Sequence, residues 1–165
     1  MTAARLIATW FGAGLLRPAP GTWGSLAALP LGWVLHGLGG FPALALATLF
    51  VFGAGWWATI RETAGKADHD PSEIVVDEVV GQWIALWPLS LGLWHGGAAP
   101  WLFPDPGGIG AFVLFRLFDI WKPGPVGWAD RRNDALGVML DDVVAGLLAA
   151  LVVALAAALA HGWLM

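Results

Sequence analysis

Three long stretches of this 165-residue chain carry no charged side chain, which limits the folds that it can adopt. They cover residues 18–60, 79–104 and 143–165. Each exceeds the roughly 20 apolar residues that a helix needs to cross the hydrocarbon core of a bilayer. The chain is 58% hydrophobic, and its twelve tryptophans suit a membrane interface better than the buried core of a soluble protein. We therefore expect an all-α, membrane-embedded multi-helix bundle that forms a single domain over residues 1–165.

The composition also excludes several classes of function. The chain has no cysteine, so neither disulfide bonds nor a thiol nucleophile is available. Its formal net charge of -4 argues against nucleic acid as a partner, because a nucleic-acid-binding domain normally needs a surplus of positive charge.

Glycine, proline and polar positions divide the chain into helical segments. A break at Gly39-Gly40 predicts a helical hairpin, whose first helix we expect Ser25 to cap after a loop over residues 15–24. The predicted helical segments are residues 2–13, 25–38, 41–60, 74–93, 110–121 and 137–161. The segment 110–121 measures only about 18 Å as a helix, which is short for a bilayer.

The basic residues predict an orientation in the membrane. If the segments alternate in direction, all eight lysines and arginines fall at one end of the bundle. The positive-inside rule makes that end cytoplasmic. These residues are Arg5, Arg17, Arg61, Lys66, Arg116, Lys122, Arg131 and Arg132.

Two acidic doublets occur in nearly the same apolar context. Asp77-Glu78 and Asp141-Asp142 are each followed by two valines, and each has a glycine four residues after one of its acids. We place both doublets near the start of a helix, where the helix dipole favours negative charge. Asp119 falls instead in the last turn of its predicted helix, so a stronger interaction than the dipole should stabilise it.

These five carboxylates predict a metal site. Charged carboxylates on apolar helices need a compensating partner, and a divalent cation is the simplest one. Oxygen ligands without cysteine favour a hard ion such as Mg²⁺ over zinc. Gly81 and Gly146 would let the two helices approach closely enough for the doublets to meet. The alternative is that the acids only form the solvated ends of two membrane spans.

Basic and glycine-rich segments near these acids suggest that the ligand is a phosphate. A metal ion polarises a phosphoryl group, and Arg116, Lys122, Arg131 and Arg132 can neutralise its oxygens. Residues 20–25 add backbone N–H groups at a helix start, a second device for binding anions. The acidic triplet at residues 68–70 lacks a preceding apolar strand, so we interpret it as a surface loop.

Five motifs then resemble one known family, phosphatidylglycerophosphatase A, over about residues 11–149. They are PGTWGSLAA at residues 20–28, IVVDEVVGQWI at 74–84, FRLFDIWKP at 115–123, WADR at 128–131 and GVMLDDVVAG at 137–146. The resemblance implies a multi-pass enzyme of the bacterial inner membrane with its active site facing the cytoplasm. It implies hydrolysis of the phospholipid phosphatidylglycerophosphate, with Mg²⁺, to phosphatidylglycerol and phosphate.

The residues that we expect to form the site follow from these motifs and from the acid and loop patterns. The catalytic residues and metal ligands would be Asp77, Glu78, Asp119, Asp141 and Asp142. The phosphate would be bound by Thr22, Ser25, Arg116, Lys122, Asp130 and Arg131.

A small cation transporter or channel that uses intramembrane carboxylates is the second interpretation, but it would need polar residues across the whole bilayer depth. A purely structural membrane protein gives no reason for the repeated doublets.

Overall fold

The computed structural model describes the backbone of residues 1–68 and 70–163, with side chains up to residue 160. Over these residues the chain is helical and contains no β-strand, which confirms the all-α prediction. The helices are α1 (Ala3–Ala8), α2 (Pro20–Thr63), α3 (Val76–His95), α4 (Asp105–Trp121), α5 (Pro125–Asp130) and α6 (Ala135–Trp163). A single 3-10 turn, Ala13–Leu15, lies between α1 and α2.

Helix α2 is broken in the middle, as the Gly39-Gly40 pair predicted. Gly39 has φ -154° and ψ 17°, and Gly40 has φ 64° and ψ -155°, so neither residue is helical. The positive φ of Gly40 is a conformation that residues with a Cβ rarely adopt. The break divides α2 into a first arm, residues 20–38, and a second arm, residues 41–63.

The contacts with α3 show that the two arms run in opposite directions. Along the first arm, Gly24 lies against Val75 and Gly32 lies against Leu86, so this arm is parallel to α3. Along the second arm the order is reversed: the indole N–H of Trp87 donates to the Thr48 hydroxyl near its start, and Gly55 contacts Val76 further along. The arms therefore form the expected hairpin.

Helix α3 is the central element of the bundle. Its first three turns are almost entirely buried, and it packs most extensively against α2 and α6. The Trp83 indole N–H donates to the carbonyl oxygen of Ala28 at 2.8 Å, which fixes α3 against the first arm. Polar groups at the start of α3 are therefore held by a rigid environment.

Two helices in the described part of the chain are long and apolar enough to cross a membrane, namely Pro20–Thr63 and residues 135–160 of α6. Their outward faces carry large apolar side chains, including Leu46, Phe50 and Leu159, which are 64% to 76% exposed. Such a surface is costly in water and is what a lipid-facing surface requires.

Several predicted helix boundaries were wrong. The first helix ends at Ala8 and not at residue 13, and α5 lies in a segment for which no helix was predicted. Helix α2 begins at Pro20, so residues 20–24 are helical and are not a loop, and Ser25 is not an N-cap. Helix α4 begins at Asp105, five residues before the predicted Gly110. Its 17 residues span about 26 Å at 1.5 Å per residue, much nearer to a bilayer's 30 Å core than the predicted segment.

Candidate active site

Three carboxylates from two helices meet at one end of the bundle. Asp77 and Glu78 lie in the first turn of α3, and Asp142 lies in the second turn of α6. Each offers a carboxylate oxygen, and the three oxygens lie within 4.8 Å of one another. We call Asp77, Glu78 and Asp142 the acid cluster. The two doublets therefore converge through three of their four acids, whereas Asp141, which was also predicted as a metal ligand, is not part of the acid cluster.

The acid cluster exists because α3 and α6 touch at two glycines. A Cβ added to Gly81 would stand 2.6 Å from the carbonyl oxygen of Asp142, and one added to Gly146 would stand 2.5 Å from the carbonyl oxygen of Gly81. Side chains at these positions would push the helices apart. The close approach lies one turn deeper than the acids, as their spacing from the glycines predicted.

The helix dipole can stabilise the negative charge of only one of the two acidic doublets. Asp77 and Glu78 lie in a first helical turn, where unpaired N–H groups favour negative charge. Asp141 and Asp142 are the seventh and eighth residues of α6, and the dipole effect fades beyond the first turn. They lie near the start of α6, as predicted, but beyond its first turn, so groups other than the helix dipole must stabilise them.

Asp119 is stabilised by an arginine on its own helix. Arg116 forms an ion pair with Asp119 one turn away, and its Nη1 lies 4.0 Å from Glu78 Oε1. The Asp119 carboxyl also lies near the Asp142 carboxyl. Arg116 and Asp119 therefore extend the acid cluster onto α4, and the ion pair explains a carboxylate at the unfavourable end of a helix.

Asp141 belongs to a second group that is centred on a lysine. Lys122, just after α4, donates to Asp130 and also to Asp141, the latter at 2.9 Å. Burial alone would lower the pKa of Lys122, but these two hydrogen bonds outweigh it and raise the pKa above its ordinary value. The lysine is therefore a fixed cation, and it connects α5 to α6.

The start of α2 also reaches the acid cluster. Gly21 lies so close to the Glu78 carboxylate and to Arg116 that no larger residue would fit without displacing them. Thr22 is half-buried in the same turn. Ser25 is fully buried, and its hydroxyl donates to the Gly21 carbonyl oxygen at 2.8 Å. The phosphate contacts of Thr22 and Ser25 stay predictions.

Arg131 and Arg132 follow α5 on the exposed surface. Arg132 forms an ion pair with Asp134 at 3.2 Å. Arg131 is exposed, and its guanidinium lies close to Gly127 in the same segment. The structure thus places Arg131 next to Asp130 but not inside the acid cluster.

Asp70 was missed as a site residue. The prediction assigned residues 68–70 to a surface loop, and of these His69 lies outside the described residues. Asp70, although exposed, lines a small cavity of about 20 Å³ together with Asp130 and Asp141, room for one water molecule. Desolvation by the surrounding protein atoms raises the pKa of Asp70, and the positive charge of the nearby Lys122 opposes this rise. No local sequence signal marks such a tertiary contact.

The acid cluster fits a hard divalent cation. Its donors are carboxylate oxygens, the ligands that Mg²⁺ prefers. The Oε2 atom of Glu78 is buried and has no hydrogen-bond partner among the described residues. An acceptor of this kind needs a hydrogen-bond donor or a cation beside it, because water does not reach it. The observed side chains therefore suit the predicted Mg²⁺.

Relatives of known name are similar to the chain over most of its length. A protein from Haemophilus influenzae named phosphatidylglycerophosphatase A is 40% identical over 149 residues, covering 90% of this chain and 85% of its own. The protein of that name from Escherichia coli is 36% identical over 146 residues, 88% of this chain and 78% of its own. A putative phosphatidylinositol-3-phosphatase from Bacteroides thetaiotaomicron is 40% identical over 157 residues, 92% of this chain and 91% of its own.

These matches, on an all-helical fold with converging carboxylates, define a phosphatase that hydrolyses phosphoric monoesters. More specifically, the family model described as Phosphatidylglycerophosphatase A matches residues 6–157, and the chain belongs to that family. The predicted family membership and enzyme class are thereby confirmed. No solved structure matches the chain.

Proposed function

We propose that the protein hydrolyses the terminal phosphate of phosphatidylglycerophosphate at a Mg²⁺-dependent site on the cytoplasmic face of a membrane. The observation that carries this proposal is the convergence of Asp77, Glu78 and Asp142 in a chain of this family. Two relatives named for this activity support the choice of substrate. In the reaction a water oxygen bonds to phosphorus, the P–O bond to glycerol breaks, and the alcohol leaves with a proton.

Asp77, Glu78 and Asp142 would hold the cation, with Asp119 beside them. When bound, Mg²⁺ supplies charge that polarises the phosphoryl group and acidifies a coordinated water. The carboxylates themselves have a second role, because an oxygen that does not bind the cation can orient the attacking water and accept its proton.

Arg116 and Lys122 can each bind the phosphate while they keep their ion pairs with acidic side chains. A guanidinium has five N–H donors. Nη1 of Arg116 donates to Asp119, whereas its buried Nε has no hydrogen-bond partner among the residues that the structure covers. An ammonium has three donors, and Lys122 uses two of them on Asp130 and Asp141. Each cation therefore has a donor left for a phosphate oxygen. Arg131, exposed beside Asp130, would contact the headgroup from the solvent side.

The position of the site suits a lipid headgroup. The acid cluster lies at the start of α3, at the same end of the bundle as both ends of α2, where Arg5 contacts Glu62 and Glu73. Ion pairs at this end also include Arg116 and Lys122, in agreement with the predicted positive-inside orientation. A phosphate on a bilayer-embedded lipid would reach this end while its acyl chains stay beside the apolar helices. The transporter interpretation is not favoured, because the acids cluster at one end of the bundle.

The test is phosphate release by the purified protein in detergent micelles. The substrates to compare are phosphatidylglycerophosphate, phosphatidylinositol 3-phosphate and phosphatidic acid, each after chelation and after Mg²⁺ is restored. We expect fastest release from phosphatidylglycerophosphate, loss with chelator and recovery with Mg²⁺. Preference for the inositol lipid would overturn the substrate assignment. Full activity in chelator would overturn the metal assignment.

A further inference from the structure

Gln82 is a buried polar residue that the proposed mechanism does not use. It is the chain's single glutamine, it lies on α3 one turn beyond Glu78, and its side chain is 0% exposed. Neither its amide nitrogen Nε2 nor its amide oxygen Oε1 has a hydrogen-bond partner among the residues that the structure describes. Buried amides are almost always hydrogen-bonded, so this one needs a physical explanation.

Burying an unpaired amide destabilises a fold, whereas an apolar side chain of the same length would not. The neighbours of Gln82 on α3 show that this position favours packing: Gly81 touches Phe115, and Trp83 and Leu86 are buried against the first arm of α2. Methionine or leucine would therefore serve the core better. A glutamine at this position is explained if its amide acts in a state with ligand bound.

The carboxylate oxygen Oε2 of Glu78, on the same part of α3, is also buried without a hydrogen-bond partner in the described part of the chain. Residues four apart on a helix have Cβ atoms about 5–6 Å apart, so these two long side chains can reach each other. One offers an N–H donor and the other offers an acceptor. Among the residues that the structure describes, the only basic side chain within 4.0 Å of the Glu78 carboxylate is Arg116, which is already paired with Asp119.

We propose that Gln82 is a positioning residue of the acid cluster: when a divalent cation is bound, its Nε2 donates to Oε2 of Glu78 and so holds the other oxygen toward the cation. The inference rests on the proposed function, because it assumes that the acid cluster binds Mg²⁺. Carboxylates that bind metals are usually hydrogen-bonded in turn, and loss of such a partner typically costs about 10- to 100-fold in metal affinity or activity.

The test compares Gln82→Met with wild type and with Leu86→Met, a control that places the same side chain one turn deeper in the same buried helix. The measurement is the melting temperature in detergent as Mg²⁺ is titrated, which needs no turnover. For Gln82→Met we expect a melting temperature without Mg²⁺ equal to or above that of wild type. We also expect the Mg²⁺ midpoint to rise about 10- to 100-fold. The Leu86→Met variant should keep the wild-type midpoint.

A double-mutant cycle isolates the proposed contact. Glu78→Asp shortens the carboxylate and withdraws it from Gln82, so adding Gln82→Met should change the Mg²⁺ midpoint little further. Additive effects would contradict the contact. Gln82→Leu, a second apolar replacement, should give the same result in the same measurement.

The outcomes separate this inference from the function on which it rests. An unchanged midpoint in Gln82→Met, with a clear Mg²⁺ response in wild type, overturns the role of Gln82 alone. A melting temperature well below wild type without Mg²⁺ assigns Gln82 to packing and also overturns its role. A wild-type protein that shows no Mg²⁺ response removes the metal site, and the positioning role with it.

Discussion

Gly146 on α6 lies against the backbone of Gly81 on α3, so that a Cβ on Gly146 would stand 2.5 Å from the Gly81 carbonyl oxygen. Both residues lie one turn deeper than the acid cluster. Because two helices that touch at their backbones cannot slide or separate without losing this contact, the glycine pair determines how near Asp142 comes to Asp77 and Glu78. The geometry of the site therefore depends on two residues that carry no chemistry.

This contact predicts that a single methyl group added at Gly146 reduces both stability and activity. Gly146→Ala should force α3 and α6 apart, destabilise the protein by about 1–3 kcal/mol as overpacking does, and lower phosphate release at least tenfold. The measurements are thermal unfolding in detergent and initial rates. Gly92→Ala is the matched control, since a Cβ there meets nothing within 4 Å. Equal behaviour of the two variants would show that the close approach is not needed.

A second prediction concerns the charge of the acid cluster. Asp142→Asn keeps the shape of the side chain but removes one of three crowded negative charges. We expect it to abolish the rise in melting temperature with Mg²⁺ and to lower phosphate release at least 100-fold. The fold should be retained, because like charges in a buried cluster repel one another.

Asp105→Asn is the control for that experiment. It makes the same chemical change on an exposed carboxylate at the start of α4, the end of that helix away from Asp119. It should leave both the Mg²⁺ response and the rate unchanged. A Mg²⁺ response that survives Asp142→Asn would place the cation elsewhere.

The third prediction concerns Lys122. Lys122→Met leaves Asp141, whose side chain is only 9% exposed, without its cation, so we expect a loss of about 1–3 kcal/mol. Lys122→Arg should recover most of this loss.

The pH dependence of this ion pair follows from the pKa of Lys122, which is raised in the folded protein. The contribution of Lys122 to stability is fully present below its unfolded pKa of about 10.4 and is lost only as pH rises through the folded pKa. The difference in free energy of unfolding between wild type and Lys122→Met should therefore persist as pH rises from 8 to 9, below the unfolded and folded pKa values of the lysine. A gap that closes within this range would contradict the ion pair.

The sequence pattern predicted those features of the fold that depend on local chemistry. The helical hairpin follows from Gly39-Gly40, which no regular helix accommodates well. The acid doublets were expected to meet because each has a glycine one turn away, and in the structure these glycines are in contact. Patterns of this kind require only that neighbouring residues share a helix face.

Features that depend on tertiary contacts were harder to predict. Pro20 and the glycines that follow it favoured a loop, yet proline is also common in the first turn of a helix, and α2 begins there. The role of Ser25 was misassigned for the same reason. Asp70 was missed because the acids near it, Asp130 and Asp141, lie on other helices. Gln82 was missed because its proposed contact with Glu78 needs a bound cation. Neither residue belongs to a repeated pattern that sequence alone could reveal.

The fourth prediction concerns Asp134, the residue before α6. Its Oδ1 accepts a hydrogen bond from the Gly137 N–H at 2.6 Å, and its carbonyl oxygen accepts one from the Val138 N–H at 3.2 Å, the pattern of an N-cap. Replacing Asp134 with Ala should cost about 1 kcal/mol, because the start of α6 loses this acceptor. Asp134→Asn should keep most of the stability, since asparagine also caps helices.

The pH dependence of this cap follows from its hydrogen bond. The Gly137 N–H lowers the pKa of the Asp134 carboxyl, so the carboxylate contributes stability above the unfolded pKa of about 3.9 and loses it as pH falls through the folded value. The gap in melting temperature between wild type and Asp134→Ala should therefore be constant from pH 5 to 8 and should narrow below about pH 4. The difference in melting temperature between Asp134→Asn and Asp134→Ala should not change with pH, because asparagine does not titrate.

Since Asp134 is exposed, solvent screening keeps the effect small, and replicate melts at several pH values are needed to measure it. A wild-type gap that stays constant down to pH 3 would mean that the charge of Asp134 does not contribute to the cap.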